Sequence, residues 1–448
     1  MIDCLASSEV DAMARAEELY ADESIEAVRV MRGHFSGAGE NFESQVMERV
    51  REGRRGAPPL RLAAAADEVA WCDTLADFYG PSSRFVMGRL LRNFLDRFQI
   101  TPTELLHHHR FIKQLDNADS LLPGAVQRIA AIQGDARKVD RRTRADAIDK
   151  FVSEATTRAR DALASRAAPR LGPEGLPALV KTVAERATDP AEQAFWLRHA
   201  VARAFEETTS FAAKFEMVMG WAAPGLPPNL MPLIDELTAG LMGSVSMIKD
   251  TLGNQANLGG ALTALAGLAS GKQSPNLPGA PPCFPTLAKL MAEAPMPETR
   301  TVLYDRLERE LATDKPLSRD DTQAQRRQFE SLLDSIAEPS GLFAGGPGMV
   351  QALAKRSRRF DIVGGVEDVR FPDPQPAARL TKLLEVEKTM FGQRQQQGIA
   401  TYMRDAIGKL DADPGQLADF RAKISACGLP DPQKRVLLER MPLPGTRA

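Results

Sequence analysis

The stretch ARKVDRRTRADAIDKFVSEATTRARDALASR, residues 136–166, decides the fold class. Ile148, Phe151, Val152, Ala155, Ala159 and Leu163 recur at spacings of three and four, with charged and polar residues between them. An α-helix turns once every about 3.6 residues, so this spacing gathers the apolar side chains on one stripe. A half-buried strand would alternate in twos instead.

The same periodicity runs outward in both directions. Towards the N-terminus it predicts helices over 8–20, 24–33, 41–54, 60–78, 82–98, 102–116 and 122–133. Towards the C-terminus it predicts them over 176–187, 190–221, 230–252 and 258–269. Beyond that, helices are expected over 286–293, 297–312, 318–338, 347–358, 376–391, 393–410, 414–426 and 432–440. Start signals agree. Thr101-Pro102-Thr103-Glu104, Asp189-Pro190-Ala191-Glu192 and Asp413-Pro414-Gly415-Gln416 each offer a capping oxygen, a proline in the first turn and an acid or amide three residues on; Asp431-Pro432 has the first half of the pattern. The cap accepts from an amide that has no partner within the helix, and the proline gives up a donor that had none.

Two stretches break the pattern. Residues 271–285 hold Pro275, Pro278, Pro281, Pro282 and Pro285 with Gly271 and Gly279, a density no helix interior or central strand accepts. They are expected to link an N-terminal multi-helix domain, 1–270, to a C-terminal helical domain, 286–448. Between Phe360 and Phe371, Ile362-Val363 and Val366 to Val369 flank Gly364-Gly365 as a small hairpin would. The expected fold is therefore all-α: a two-lobed bundle or irregular helical stack with at most one β-hairpin, near 360–371. Residues 14–30 have the look of half a tetratricopeptide unit, but no second copy follows at the required period, so an ordinary helical hairpin is expected.

Composition bounds the function. A net charge of −2 argues against a chain built to coat nucleic acid or an anionic membrane. The N-terminus has neither the basic nor the apolar region of a signal peptide, and the most apolar run, Leu258 to Ala269, falls short of the ~20 residues of a membrane span. A cytoplasmic protein with reduced thiols is expected from Cys4, Cys72, Cys283 and Cys427, which lie far apart. Arginine and alanine use suggest a bacterial coding sequence of high GC content.

Motifs for specific chemistry fail on their spacing. His107-His108-His109 on a helix would point about 100° apart from one to the next and could not converge on one ion. His199 has Trp196 and Ala202 three residues either side, not the Glu-x-x-His of di-iron bundles, and is expected at the surface among acids and arginines. Gly341 to Gly348 has the phosphate-loop glycine spacing but Pro347-Gly348 in place of lysine and hydroxyl, and the glycine-rich run ending at Ser274 also fails. No Gly-x-Ser-x-Gly, HExxH or CxxC occurs. No metal or cofactor is expected.

Two basic clusters remain: Arg137, Lys138, Arg141, Arg142 and Arg144, and Lys355, Arg356, Arg358 and Arg359. Guanidinium suits bidentate recognition of carboxylate and phosphate. Arg141, Arg142, Arg356 and Arg359 are the expected contacts to an acidic protein partner. The methionine-rich stretch 215–248 is either core or a deformable docking surface. By exclusion the expected function is a non-enzymatic intracellular helical scaffold or adaptor, in bacterial signalling. The alternatives are an enzyme with an active site of dispersed residues and a nucleic-acid-binding regulator using the arginine clusters.

Overall fold

The computed structural model describes residues 8–21, 27–35, 41–50, 60–63, 69–118, 120–208, 210–222, 226–319, 322–336, 345–357, 375–388, 396–410 and 413–442. They form two compact units, residues 1–61 and 62–448. The fold is all-α but for one hairpin in the first unit.

In that unit, helix α1 (Glu9–Ala21) precedes an antiparallel pair, β1 (Ala27–Phe35) and β2 (Asn41–Val50). The register runs from Ala27 opposite Val50 to Phe35 opposite Asn41, with a one-residue shift between Val30 and Met31. Val28 and Val30 alternate inward and pack with Ala16 of α1. The helices expected over 24–33 and 41–54 are thus strands. Phe42, Val46 and Val50 recur every fourth residue, a spacing that suits a helix and also, being even, one face of a strand. The β-branched valines of β1 and the glycines between the strands carried the deciding signal. The helical-hairpin reading of 14–30 falls with it, and the hairpin expected at 360–371 lies outside the described residues.

The second unit begins with short helices: α2 (Leu75–Phe78), α3 (Pro81–Leu90), α4 (Arg92–Phe98), α5 (Pro102–His107) and α6 (His109–Asp116). Of the helix expected over 60–78, only α2 exists among the described residues. The expected helix 82–98 breaks at Leu91, and 102–116 breaks at His108, whose backbone is extended (φ −123°, ψ 110°). Helices α7 (Leu121–Arg137) and α8 (Arg141–Ala164) pack on them and on each other. The 136–166 stretch therefore holds the end of one helix and the whole of the next. Lys138, in the left-handed region, closes α7, and Asp140 caps α8 by accepting from the Thr143 amide at 2.9 Å. On α8, Ala145, Ile148, Ala155 and Ala159 are buried as the stripe requires; Ala162 takes the inward position expected of Leu163, which is exposed.

The remaining helices are α9 (Gly175–Arg186), α10 (Pro190–Glu206), α11 (Phe211–Trp221), α12 (Met231–Met242), α13 (Val245–Leu252), α14 (Leu258–Ala269), α15 (Phe284–Glu293) and α16 (Pro297–Ala312). Then follow α17 (Thr322–Ile336), α18 (Gly346–Ser357), α19 (Pro376–Glu387), α20 (Gln396–Gly408), α21 (Pro414–Ala426) and α22 (Asp431–Arg440). The caps expected at Thr101, Asp189 and Asp413 accept as their sequences predict.

One apolar core runs from Leu176 to Met441, through α9 to α22. It includes residues on both sides of the 271–285 segment. The segment itself is closely packed at its glycines. Gly253 and Gly279 both have positive φ, and a Cβ on Gly253 would lie 2.4 Å from the Gly279 carbonyl carbon, so the loop after α13 and the proline-rich loop cross backbone to backbone. Arg300 of α16 also ties the end of α14 to that of α15 by donating to the carbonyls of Ala269 and Met291. The methionine-rich stretch belongs to this core: Phe215, Met219, Met242 and Met247 are buried in it. Among the described residues no helix is long and apolar enough to cross a membrane.

Candidate functional site

Helix α5 has six residues, and all six are buried. Its polar groups reach three different helices. Glu104 receives the Thr101 amide and hydroxyl at its own N-terminus (2.8 and 3.0 Å) and the Lys214 ammonium of α11 at 2.6 Å. Lys214, 2% exposed, donates as well to the Gln99 carbonyl at 2.6 Å. Burial pushes the Glu104 carboxyl up, against the pull of Lys214. Thr103 donates to Glu236 of α12 at 2.8 Å. Glu236 also accepts Arg198 of α10 at 2.7 Å and Arg84 of α3 at 3.3 Å. The same Arg84 nitrogen reaches Glu298 of α16 at 2.6 Å, and burial raises the Glu298 carboxyl. Next to Glu236, Asp235 accepts the Glu298 and Thr299 amides at 2.8 Å each, capping α16 from another helix.

The histidines occupy the other end of α5. His107 donates from Nδ1 to its own helix at the Thr103 carbonyl, and His199 of α10 donates from Nδ1 to the His107 carbonyl, both at 2.8 Å. A carbonyl only accepts, so both rings carry their proton on Nδ1. His108 bonds Glu206 through Nε2 at 3.1 Å. Burial drives all three imidazoles down, His107 furthest, with Arg198 and Arg84 adding to it there. The His108–Glu206 contact is therefore a hydrogen bond from a neutral ring. Tyr79, His107, Phe195, His199 and Trp196 pack ring on ring around this cluster, and Arg158 lies 4.0 Å over Phe195.

His199 is not the surface histidine the sequence suggested. His107, His108 and His199 are each 0–2% exposed. The break at His108 leaves His107 and His108 buried and His109 half-buried, and the nitrogens of the first two go to separate carbonyl and carboxylate partners rather than to one point.

The Glu236–Arg84–Glu298 group forms one end of a cleft of about 710 Å³ between α3, α5, α12 and α16. Further along its walls Asp305 lies between two guanidiniums, Arg89 at 2.6 Å and Arg309 at 2.8 Å. Arg92, paired with Asp96 at 3.1 Å, completes that end. The inner end is balanced, with Arg84 and Arg198 against Glu236 and Glu298. The outer end carries Arg89, Arg92 and Arg309 with Asp96 and Asp305 among the described residues. A Cβ on Gly243 would lie 2.3 Å from the Arg92 guanidinium, so a side chain there would push that arm of the cleft wall aside.

Beneath the cleft lies a second space, an apolar cavity of about 110 Å³ lined mainly by α3, α5, α6, α7 and α8. At about 24 cal/mol per Å³ it withholds about 2.6 kcal/mol of packing from the fold.

Of the four arginines picked from sequence, three lie among the described residues. Arg141 and Arg142 are exposed at the start of α8, Arg141 beside Asp135 at 3.3 Å. Arg356 is 2% exposed and donates to the Lys315 carbonyl at 2.7 Å, so it cannot serve as a surface contact. It lies on the α18 face that carries Met349, Val350 and Leu353 into the core, and helical phase outweighs charge there. Arg359 lies outside the described residues. Arg144 of the first cluster is also buried, donating to Gln133 and the Cys72 carbonyl and lying 4.0 Å over the Trp71 ring.

Sequence reading missed Glu104, Lys214, Glu236, Arg84 and Glu298. Their signal was charge in apolar surroundings. Asp235-Glu236 interrupts an otherwise apolar α12, and Lys214 an apolar α11. Such charges are buried only when paired. No family model, curated protein or solved structure matches the chain.

Proposed function

We propose that the chain is a non-enzymatic intracellular adaptor that holds an acidic segment of a partner protein in the α3–α5–α12–α16 cleft. The observation that carries this reading is the guanidinium of Arg309 on the cleft wall, held by Asp305 at 2.8 Å. An incoming carboxylate can share it, since guanidinium offers five donors in a fork that fits carboxylate edge-on. The cleft lies in the size range of ligand sites, about 300–1,000 Å³, which suits a side chain or a short segment. Arg309 keeps 41% of its side chain exposed and is accessible to an incoming group. Exposed Arg141 and Arg142 remain candidates for a peripheral contact with the same partner.

The test places a photo-crosslinking amino acid at Thr301, an exposed cleft residue, in living cells. The expected result is one protein adduct, mapped to an Asp- or Glu-rich segment and lost in the Arg309→Glu variant. No protein adduct, or one indifferent to Arg309→Glu, refutes the reading. A second reading, an enzyme using paired carboxylates, draws support from Glu236 and Glu298 sharing one Arg84 nitrogen beside the cleft, with Glu298 raised by burial. It predicts a small-molecule turnover in activity screens that Glu298→Gln abolishes.

A further inference from the structure

We infer that the apolar cavity beneath the cleft is a binding site for a small uncharged apolar molecule, a single aromatic ring or a short alkyl chain. Three observations converge on that class of ligand.

The first is size. The cavity, about 110 Å³, is several times the space a water needs and of the order of an engineered void of about 150 Å³ that takes benzene in another protein.

The second is the state of its walls. Leu90, Leu105, Leu106, Ile112, Val126 and Ile148 supply apolar surface, and of the four polar side chains that line it Gln133, Ser83 and Cys72 already make hydrogen bonds. Gln133 donates to the Ala70 carbonyl and accepts from Arg144 at 2.7 Å. Ser83 donates to the Asp77 carbonyl at 2.7 Å, and the Cys72 thiol to the Thr74 carbonyl at 3.4 Å. With most of their donors engaged, these groups repay little of the cost of desolvating a polar atom on a ligand. The walls select against phenol or indole in favour of benzene or toluene.

The third is access. Val69, Ala70, Ser82 and Val86 line both the cavity and the open cleft, so among the described residues these side chains stand between the two.

The site is tested on the full chain by calorimetric titration and thermal unfolding with benzene, toluene and phenol. The expected result is saturable one-to-one binding of benzene and toluene, with phenol at least about tenfold weaker. The melting midpoint rises by about 2 °C at a benzene concentration of about ten times its dissociation constant. Ala155→Met fills the cavity from α8 and should abolish both the heat and the shift. Should that variant not fold, Leu90→Ala enlarges the cavity instead and should strengthen toluene binding relative to benzene. Absence of saturable binding overturns the inference. So does binding that Ala155→Met leaves intact, or equal affinity for phenol and toluene.

Discussion

Replacing Lys214 by methionine tests how the polar network holds the second unit together. Glu104 is fully buried, and Lys214 is its one cationic partner, at 2.6 Å. Methionine keeps most of the side-chain volume and removes the charge. The carboxylate is then left with the Thr101 bonds alone. Breaking a buried pair from one side costs about 3–5 kcal/mol, because the surviving charge has been taken out of water without compensation. Urea unfolding followed by tryptophan fluorescence reads this directly, since Trp71, Trp196 and Trp221 all lie in the second unit. Trp221 stacks on Phe205, over which the Lys214 ammonium sits at 5.6 Å, so the probe is local as well. With a urea slope of about 4 kcal/mol per M for a unit of this size, the midpoint should fall by about 1 M. The loss must also depend on pH. Without Lys214, burial holds the Glu104 carboxyl further up. A group whose folded pKa is raised contributes stability below its unfolded pKa and loses it as pH rises through the folded value. The difference between Lys214→Met and the parent should therefore be larger at pH 8 than at pH 5. A loss below about 1 kcal/mol, or one independent of pH, refutes the reasoning.

Two further predictions follow from buried groups. His107, His108 and His199 are all held below the ordinary histidine range, so the unfolded chain binds protons that the folded chain refuses. Their contribution to stability is present above about pH 6.5 and is lost as pH falls below it. Chemical denaturation between pH 7.5 and pH 5 should show that decline, and His107→Gln should flatten it; an unchanged slope refutes the assignment. Arg356 makes one hydrogen bond, to the Lys315 carbonyl, while its Nε and one terminal nitrogen are buried without an acceptor among the described residues. Arg356→Met should therefore leave stability within about 1 kcal/mol, whereas Arg356→Ala opens a cavity and should cost about 2–4 kcal/mol in the same urea assay.

What was legible in the sequence was local. Helical phase and caps are set within a turn or two, so α8 and the starts at Thr101, Asp189 and Asp413 could be read from their residues. The hairpin of the first unit was not, because four-residue spacing in β2 fits both periods. The packing of the proline-rich segment was not legible, for a different reason. Proline density excludes a helix but says nothing about whether a loop is free or pinned, and the pinning comes from Gly253 on another loop. The site was the least legible part. Thr101 and Glu104 could be paired from the capping box, but Lys214 lies 110 residues from Glu104, and Glu298 lies 214 residues from Arg84. Nothing in the spacing of the sequence joins them.

The cleft and the apolar cavity share a wall in α5, and this gives the buried charges a role that apolar packing could not fill. A six-residue helix has too few internal bonds to persist alone. It is placed by directional bonds from Glu104 to α11, from Thr103 to α12 and from the His107 carbonyl to α10. Pro102 and Thr103 line the charged cleft, while Leu105 and Leu106 line the apolar cavity. Apolar contacts tolerate sliding; a carboxylate held by an ammonium and a threonine does not. The network therefore fixes the rotation of α5, and with it which side chains face each space. A change that loosens Glu104 should reach both cleft and cavity, so Lys214→Met should weaken benzene binding even though Lys214 lines neither wall.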